Sequence, residues 1–254
     1  MAVYTEKRRS SILEALSSKQ VVRVSELSQR LGVSEVSIRR DLQALEELGL
    51  LKRVHGGAVA VPRSPLPSTD PDREKKERIG RAAAALVQPG ERIIFDSGST
   101  PLQVARSLDP ELLTSGNLTV ITAYLPVVAE LGRHPGVHLI LLGGIYIPQT
   151  QILVGPQTIE QLRSLHADKM FLGSDGMTLT HGFTTANVLE AEVDRAMVQA
   201  ASEVIVVSAS SKIGNIGLAT IMPIDGVDKL ITDSDAPPDF VAELRQRGVE
   251  VILV

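Results

Sequence analysis

The sequence predicts an α/β protein in which a small N-terminal domain is joined to a larger domain with a mostly parallel sheet. One observation is that residues 5–61 carry three helical patterns followed by two short strands. Next, residues 61–71 contain four prolines and two serines, which oppose helix and central strand. Beyond residue 90, short apolar runs alternate with amphipathic helical patterns. The predicted domains are therefore residues 1–61 and 73–254, with residues 62–72 as the linker.

Composition limits the classes of protein to which the chain can belong. With 254 residues, of which 43% are hydrophobic and 22% charged, the chain resembles a soluble globular protein with room for two domains. The lack of cysteine excludes disulfides, thiol nucleophiles and cysteine-based zinc sites, and no cofactor or metal is expected. No apolar run approaches the roughly 18 residues of a membrane span, and the N-terminus lacks the apolar core of a signal peptide. The cytosol is the expected compartment.

Charge is distributed unevenly between the two predicted domains. Residues 1–61 carry ten Lys and Arg against seven Asp and Glu, a net +3, whereas residues 62–254 carry sixteen against twenty-three, a net −7. A cationic head on an acidic body is typical of a head that meets a polyanion. Because an excess of three charges is also compatible with chance, the assignment depends on motifs.

The N-terminal pattern predicts a helix-turn-helix. After a first amphipathic helix over residues 5–18, a second helix is expected with Ser25 as its N-cap and Gly32 as its stop. Ser34 then caps a third helix, in which apolar residues recur at i, i+4 and i+7, namely Ile38, Leu42 and Leu45. Two helices joined by a three-residue break are typical of a motif whose second helix lies in the major groove of DNA.

Residues 50–61 are expected to form the wing of a winged helix-turn-helix, since two strand patterns flank the pair Gly56-Gly57. The outer face of the third helix and the wing carry polar and basic side chains that suit phosphates and base edges. The predicted DNA-binding residues are Ser34, Glu35, Ser37, Arg39, Arg40, Lys52, Arg53 and His55. An arginine pair or a lone histidine is more often a plain surface feature, but here capping, spacing and a basic wing coincide.

Residues 24–59, VSELSQRLGVSEVSIRRDLQALEELGLLKRVHGGAV, resemble the N-terminal signature of the DeoR family of bacterial transcriptional regulators. Ser37 stands where that family usually has threonine, and it keeps the hydroxyl. The resemblance implies that the partner of this domain is a double-stranded DNA operator.

The larger domain shows strands that alternate with helices. Strands are expected over residues 92–95, 118–122, 137–142, 169–172, 204–208, 229–232 and 249–254, and helices over residues 74–87, 100–108, 156–165, 188–201 and 238–247. Because the strands are uninterrupted runs of Val, Ile and Leu, both faces of the sheet are expected to be covered. Ligands of such sheets bind beyond the carboxyl ends of the strands, so the loops there are the candidate site.

Residues 96–100 form one of these loops, and their composition suits an anion. Asp96, Ser97, Gly98, Ser99 and Thr100 open directly into a helix, whose N-terminus favours a phosphate. An ordinary tight turn with Thr100 as N-cap accounts for the same residues equally well. Other expected strand ends supply bare backbone, hydroxyls, two carboxylates and one cation, which suit a phosphorylated polyol: Gly143, Gly144, Asp175, Thr184, Thr185, Glu190 and Lys212.

Residues 74–235 also resemble the sensor domain of the DeoR family, through the ordered segments DSGST, LLGG, VGP, ADKMFLGSDG, HGFTT, EAEV and SSK. That sensor is similar in fold to ribose-5-phosphate isomerase. The resemblance implies that residues 97–100 hold a phosphate, that Lys212 reaches it, and that Asp175 and Glu190 face sugar hydroxyls. It also implies an effector, a phosphorylated sugar or polyol, that releases the operator.

Three segments depart from the family pattern. Residues 122–124, Thr-Ala-Tyr, replace the common Thr-Asn-Ser, Asp194 replaces a basic residue, and residues 145–151 are less typical. These departures leave the identity of the effector open.

Three classes of function are compatible with these features. The preferred hypothesis is a transcriptional repressor that forms a homo-oligomer, a dimer or tetramer, so that two heads read repeated half-sites. The alternative is a sugar-phosphate isomerase that carries a DNA-binding head. Thr178 stands where such isomerases have a second acid, and the segment 182–185 lacks a lysine, which argues against it. A purely architectural DNA-binding protein would not need the pocket loops.

Overall fold

The computed structural model describes residues 8, 9, 11, 12, 15, 16, 21–47, 51–54, 56–60 and 70–254, without the side chains of Glu47, Lys52 and Ala60. The chain divides into two compact units, Met1–Pro67 and Ser68–Val254, and each is described by itself. The predicted domain limits at residues 61 and 73 stay a prediction, because residues 61–69 lie outside the described part. No helix within the described residues is long and apolar enough to cross a membrane.

The first unit combines helices with a three-stranded antiparallel sheet. The described residues between 8 and 16 are helical. They are followed by strand β1 (Val21–Arg23), helix α1 (Val24–Leu31), helix α2 (Glu35–Glu47), strand β2 (Leu51–Val54) and strand β3 (Gly57–Ala60). The strands lie in the order β1-β3-β2. This arrangement confirms the winged helix-turn-helix and adds β1, which the sequence reasoning did not predict.

The capping predictions for α1 and α2 had different outcomes. Ser25 as N-cap is wrong, because β1 runs directly into α1 and the extended residue Arg23 occupies the cap position without a side-chain cap. Gly32 ends α1 in the left-handed conformation, with a φ of 65°, as its position predicted. Ser34 caps α2 as expected, since its Oγ accepts the Ser37 N–H at 3.3 Å.

The apolar stripe of α2 packs into the core of the first unit. Ile38, Leu42 and Leu45 are buried against the other apolar residues of this unit, among them Leu16 and Leu27. The opposite face of α2 is therefore free to meet a partner.

The second unit alternates strands and helices. Its helices are α3 (Arg73–Ala84), α4 (Ser99–Arg106), α5 (Pro110–Thr114), α6 (Leu125–Leu131), α7 (Pro156–Leu162), α8 (Val188–Ala200) and α9 (Pro238–Gln246), with short 3-10 helices at Ser210–Lys212 and Ile224–Gly226. Its strands are β4 (Arg92–Phe95), β5 (Leu118–Thr122), β6 (Val137–Leu141), β7 (Ile145–Ile147), β8 (Ile152–Val154), β9 (Ala167–Leu172), β10 (Gly176–Thr178), β11 (Gly182–Thr185), β12 (Ala201–Val207), β13 (Ala219–Met222), β14 (Lys229–Thr232) and β15 (Glu250–Leu253).

Seven of these strands form one parallel sheet in the order β15-β14-β12-β9-β4-β5-β6. They are the seven strands that the sequence predicted, so the mostly parallel α/β class is confirmed. The antiparallel hairpin β7-β8 and the small antiparallel sheet β10-β11-β13 were not predicted. The strands β7, β8 and β10 have only three residues, which is too few to show a period-2 pattern.

Helices cover both faces of the parallel sheet. Successive strand residues alternate between two apolar cores, with Ile93 and Phe95 in one core and Ile94 in the other. Helices α3, α4 and α6 contribute to the first core, and α7, α8 and α9 contribute to the second. The central strands are therefore buried on both sides, whereas Ile140 and Leu141 of the edge strand β6 are exposed. Ligands of such a sheet bind beyond the carboxyl ends of its strands.

Candidate functional site

The parallel sheet has a topological switch point between β4 and β9. From β4 the chain adds β5 and β6 on one side, and then returns to place β9 and β12 on the other side. At the carboxyl ends of these two central strands, the Gly173 N–H donates to Asp96 Oδ2 at 2.9 Å. A crevice at such a point is the usual ligand site of an open α/β sheet.

The loop of residues 96–100 leaves β4 at this crevice and begins α4. Gly98 takes a φ of 105°, which glycine tolerates, and it is the N-cap of α4. Thr100 as N-cap is therefore wrong, because Thr100 is the second residue of the helix. Ser97 donates its N–H to Asp96 Oδ1 at 2.5 Å. The first N–H groups of a helix have no partner within that helix, so this loop presents donors to the crevice.

The hydroxyls of the loop are also available. The structure records no hydrogen bond from the hydroxyls of Ser97, Ser99 and Thr100 to any residue that it describes. Ser97 and Ser99 are half-buried, and Thr100 is buried. Hydroxyls and backbone amides that point to one crevice are the donors that an anion such as phosphate needs.

Lys212 ends a short 3-10 helix after β12, on the same edge of the sheet. It is half-buried and has no ion pair with any described carboxylate. The neighbouring cation Lys75, in contrast, is paired with Asp233 at 3.2 Å and with Asp235 at 2.9 Å. The charge of Lys212 helps to lower the pKa of Asp70, but among the described residues Lys212 makes no ion pair that an anion at this edge would have to break.

The residues after β9 and in β11 form a second side of the crevice. Asp175 is exposed, and its Oδ2 accepts the Thr185 hydroxyl at 3.2 Å and the Ala186 N–H at 3.0 Å. The Thr184 hydroxyl donates to the Gly176 carbonyl at 3.1 Å and accepts the Gly217 N–H at 2.8 Å. Thr185 therefore orients the exposed carboxylate of Asp175, whereas the hydroxyl of Thr184 is engaged in hydrogen bonds within the protein.

Gly143 and Gly144 lie after β6 and contact α7. The Gly143 carbonyl accepts the Thr158 hydroxyl at 2.8 Å, and its N–H donates to Gln161 Oε1 at 3.1 Å. A Cβ on Gly144 would lie 2.2 Å from Thr158 Oγ1. Close packing against α7 therefore accounts for the presence of glycine at both positions. No hydrogen bond joins either glycine to residues 96–100 in the described structure.

Three buried carboxyl groups gather below the loop of residues 96–100. Asp96, Glu190 and Asp194 are 3%, 7% and 3% exposed. The carboxyls of Asp96 and Asp194 hydrogen-bond to each other, while Asn187 Nδ2 donates to Glu190 Oε1 at 3.3 Å. We call Asp96, Glu190 and Asp194 the carboxyl cluster.

Burial controls the ionisation of this cluster. Burial, with the nearby charge of Glu190, raises the pKa of Asp96 to about 7 despite the N–H groups of Gly173 and Ser97. Burial and the adjacent Asp96 raise the pKa of Asp194 well above its usual range. Burial also raises the pKa of Glu190. At neutral pH the Asp96–Asp194 pair therefore holds a proton, which one carboxyl donates to the other.

The three segments that depart from the family pattern meet at the carboxyl cluster. Asp194 pairs with Asp96, and Tyr124, which is 2% exposed, lies close enough that the charge of Asp96 helps to raise its pKa, after burial. Thr150, in the β7–β8 turn, hydrogen-bonds to Glu190. The sequence reasoning noted these departures but did not select Asp194, Tyr124 or Thr150 as site residues, because only the fold brings them together.

The first unit presents the predicted DNA-binding residues on α2 and the wing. Ser34 Oγ lies 3.1 Å from Ser37 Oγ. Arg39 Nη2 donates to Glu35 Oε2 at 2.6 Å, in an exposed i,i+4 pair. Arg40 is exposed and has no hydrogen bond or ion pair to any residue that the structure describes. Arg40 is therefore the α2 cation that can meet DNA without breaking an existing contact.

The wing residues are only partly described. Arg53 donates its backbone N–H to Glu46 Oε1 at 2.8 Å, and its Nε lies 3.8 Å from Glu46 Oε2. The side chain of Lys52 and all of His55 lie outside the described residues. Their roles stay predictions.

Two residues of α2 were missed by sequence reasoning. Asp41 is 2% exposed and accepts Arg8 Nε at 2.5 Å and Arg9 Nε at 3.2 Å, so it joins the N-terminal helical segment to α2. Val36 is 57% exposed on the outer face of α2. An apolar side chain there suits the methyl group of thymine. The exposure of Val36 could have been found from the spacing of Ile38, Leu42 and Leu45.

A winged helix-turn-helix unit, together with a parallel α/β unit whose switch point carries free donors, defines the class of ligand-responsive DNA-binding regulators. The family models agree with this class. The DeoR-like helix-turn-helix domain matches residues 8–63, and the DeoR C terminal sensor domain matches residues 72–234. The chain belongs to the DeoR family of transcriptional regulators.

Relatives align over nearly the whole chain. The putative aga operon transcriptional repressor of Escherichia coli O157:H7 is 36% identical over 258 residues, which cover 98% of this chain and 94% of the relative. The transcriptional regulator GolR of Listeria innocua serovar 6a is 34% identical over 250 residues, with 96% and 97% covered. The relatives are regulators, and the protein is a regulator rather than the isomerase of the alternative hypothesis.

A solved structure resembles part of the chain at a distance. Ribose 5-phosphate isomerase A of Methanocaldococcus jannaschii matches with 16% identity and a TM-score of 0.42, over 56% of this chain and 55% of that chain. A likeness this distant has no bearing on function.

Proposed function

We propose that the protein represses genes of carbohydrate metabolism and leaves its operator when a phosphorylated sugar or polyol binds to the second unit. The observation that carries this proposal is the set of unused donors at the switch point. The residues 97–100 loop and the half-buried cation Lys212 lie on one edge of the sheet; the hydroxyls of Ser97, Ser99 and Thr100 make no hydrogen bond, and Lys212 makes no ion pair, among the residues that the structure describes. The names of the relatives, which include the repressor of the aga operon, support a sugar-related role.

The phosphate of the effector would lie between the loop and Lys212. The end of β12 is two strands away from the end of β4, so about 10 Å separate their backbones. A phosphate together with the lysine side chain can bridge that gap. The carboxylates of Asp175 and Glu190 then accept hydroxyls of the sugar, with Thr185 holding Asp175 in place.

DNA would be held by the outer face of α2 and by the wing. Arg40 is free for a base edge or a phosphate, and the hydroxyls of Ser34 and Ser37 add contacts near the start of α2. Arg39 is paired with Glu35 and Arg53 with Glu46, so phosphates must compete with these exposed ion pairs. Exposed pairs stabilise by only about 0–1 kcal/mol, so DNA can displace them.

Repression of this kind requires more than one head. A winged helix-turn-helix reads a short half-site, and two half-sites about one helical turn apart provide the affinity of an operator. We therefore include a homo-oligomer, a dimer or tetramer, in the proposed function. An effector that favours one arrangement of subunits over another would misplace the heads.

The proposed function is tested by two linked measurements. A thermal-shift screen with phosphorylated sugars and polyols identifies ligands, because a ligand that binds only the native state raises the melting temperature. Gel retardation with the DNA upstream of the protein's own gene then shows what each ligand does. We expect at least one phosphorylated compound to raise the melting temperature and to weaken retardation. A hit that strengthens retardation, or no hit among phosphorylated compounds, would contradict the proposal.

A further inference from the structure

The carboxyl cluster contains a buried acceptor that has no donor. Asp194 Oδ1 is buried and has no hydrogen-bond partner within the described structure. Buried polar atoms are nearly always hydrogen-bonded, and an orphan acceptor in a cleft is a reason to look for a missing donor. Since the other Asp194 contact is with Asp96, the missing donor has to reach the cluster itself.

Positive side chains do not supply that donor. Asp96, Glu190 and Asp194 have no ion pair with any lysine, arginine or histidine in the described residues. The nearest cation in sequence, Arg195, is exposed and donates to the Thr220 carbonyl at 2.5 Å. Arg106 acts on this region from a distance and is paired with Glu130 at 3.0 Å. The charge of Arg195 acts on Asp194 without an ion pair, so the cluster is acidic and has no paired cation among the described residues.

A metal ion does not fit the arrangement. Within the part of the chain that the structure describes, no group of three or more His, Asp or Glu side chains is placed to hold a metal ion. Asp96 and Asp194 are hydrogen-bonded to each other, whereas Glu190 is hydrogen-bonded to Asn187 and Thr150. A ligand group with several N–H donors matches these separate acceptors better.

We propose that the carboxyl cluster binds a protonated amine of the effector, so that the effector is a phosphorylated amino sugar or a related amine-bearing polyol phosphate. This inference rests on the proposed function, since the phosphate of the same molecule is held by residues 97–100 and Lys212. An ammonium carries a positive charge and three N–H donors. These donors match Asp96, Glu190 and the orphan Asp194 Oδ1, and the charge offsets the acidity that burial makes costly.

The two parts of the site adjoin each other. Asp96 accepts the Ser97 N–H, so the cluster begins directly below the loop that would hold the phosphate. Glu190 lies at the start of α8 and faces the same crevice as Asp175, whose charge acts on it. In the proposed complex, the phosphate of the sugar lies at the loop and its amine points toward the carboxyls.

Binding of an amine changes the proton content of the site. The free protein holds a proton between Asp96 and Asp194, and an ammonium that pairs with both carboxylates replaces it. The displaced proton passes to the solvent, so the complex holds up to one proton fewer than the free protein and free ligand together. A sugar phosphate without an amine leaves the shared proton in place. Proton release therefore distinguishes the two ligand classes.

The test compares matched ligands by titration calorimetry on the full chain at neutral pH. Glucosamine 6-phosphate is compared with glucose 6-phosphate, and galactosamine 6-phosphate with galactose 6-phosphate. For at least one pair we expect the amine to bind tenfold tighter or more, with proton release detected as a dependence of the heat on the buffer. Equal affinity in every pair that binds, or tighter binding of the member without the amine, would overturn the inference.

Two variants assign the preference to the cluster. Asp194→Asn keeps the shape but removes one acid, and it should bring the two members of a pair to within about threefold of each other, while the member without the amine keeps its affinity. Glu190→Gln removes a second acid, whose charge acts on Asp96 and Asp194, and it also removes an acceptor of a sugar hydroxyl, so it should weaken both members and the amine-bearing member more. A preference that survives both substitutions unchanged would contradict the inference.

The result also separates this inference from the proposed function. If both members of a pair bind equally and Lys212→Ala weakens both, the phosphate site stands and the amine assignment is wrong. If no member of either pair binds, or if Lys212→Ala leaves binding unchanged, the proposed phosphate site fails together with the inference.

Discussion

A single aspartate changes the electrostatics beneath the loop of residues 96–100. Asp194 projects from α8 toward Asp96 at the end of β4, and burial raises the pKa of both carboxyls. Each is a weaker acid in the folded protein than in the unfolded chain, so the folded state binds more protons at intermediate pH. The free energy of unfolding therefore falls as the pH rises from about 4, the unfolded value, through the folded pKa of about 7 of Asp96.

Asp194→Asn should remove much of the fall in the free energy of unfolding that accompanies a rise in pH. We expect the variant, relative to the native protein, to gain about 2 kcal/mol in the free energy of unfolding between pH 5 and pH 8. Urea unfolding of the second unit at the two pH values measures the change. Asp168→Asn is the matched control, because Arg92 lowers the pKa of Asp168 to about 2 and its contribution is the same at both values. An Asp194→Asn difference that does not grow with pH would contradict the assignment.

Arg40 is the second residue whose role can be tested alone. Because it is exposed and unpaired among the described residues, Arg40→Ala should leave the fold intact. Loss of a base or phosphate contact is expected to weaken operator binding by about 1–3 kcal/mol, or roughly tenfold to a hundredfold. Gel retardation measures this, with Arg163→Ala as a control that removes an equal charge from the second unit. Equal retardation of Arg40→Ala and the native protein would exclude Arg40 from the interface.

Local residue patterns predicted some of these features and not others. Ser34 as a cap and Gly32 as a stop were predictable because the chemistry of a helix end involves neighbours in sequence. The pairing of Asp96 with Asp194 was not, because these residues are far apart in sequence and only the packing of α8 on the sheet joins them. Site residues of this kind need the fold.

At the scale of elements, α2 depends on a contact that its amphipathic pattern does not show. Asp41 lies on the buried side of α2 and holds Arg8 and Arg9, whose side chains are 22% and 34% exposed. The ion pair fixes α2 against the N-terminal helical segment, and through it the direction in which Arg39 and Arg40 point. Such a partly buried pair has more effect on stability than an exposed one.

Asp41→Asn should weaken the attachment of α2. We expect the free energy of opening of α2 to fall by about 2 kcal/mol, because two arginines lose a buried acceptor charge. Hydrogen exchange of the α2 amides measures that free energy. Glu46→Gln is the control. Because the ion pair of Glu46 with Arg53 is exposed, its loss should lower the free energy of opening of α2 by less than about 1 kcal/mol. Equal protection of the two variants would show that Asp41 has no special role.

Elements with long apolar runs were predictable, and short ones were not. All seven strands of the parallel sheet appeared in the sequence as short, mostly apolar runs. The three-residue strands Val21–Arg23 and Gly176–Thr178 exist because a partner strand lies beside them. A tertiary partner of this kind leaves no periodic signal in three residues.

At the scale of the whole molecule, the sequence predicted the two-domain class and the family, because both units carry long motifs. The proposed function requires that effector binding in the second unit change the affinity of the first unit for DNA. A coupling of this kind is typically about 1–3 kcal/mol, a change of roughly fivefold to 150-fold. Release would then be graded with effector concentration, and operator DNA would weaken effector binding by the same factor.

Reciprocity gives a prediction for the whole protein. Addition of operator DNA should raise the Kd of the effector by about fivefold or more, whereas a DNA of unrelated sequence at the same concentration should have a smaller effect. Titration of the effector in the presence of each DNA measures the two values. The same Kd with and without operator would show that the two sites are not coupled.

Gel retardation by Lys212→Ala tests the central claim most directly, namely that an anion at the switch point releases the operator. The native protein should lose retardation as the sugar phosphate with the largest thermal shift is added. Lys212→Ala should bind the operator as well as the native protein does and keep it at tenfold higher effector, while Lys212→Arg, which keeps the charge, should still respond. Release of Lys212→Ala at the native effector concentration would contradict the account.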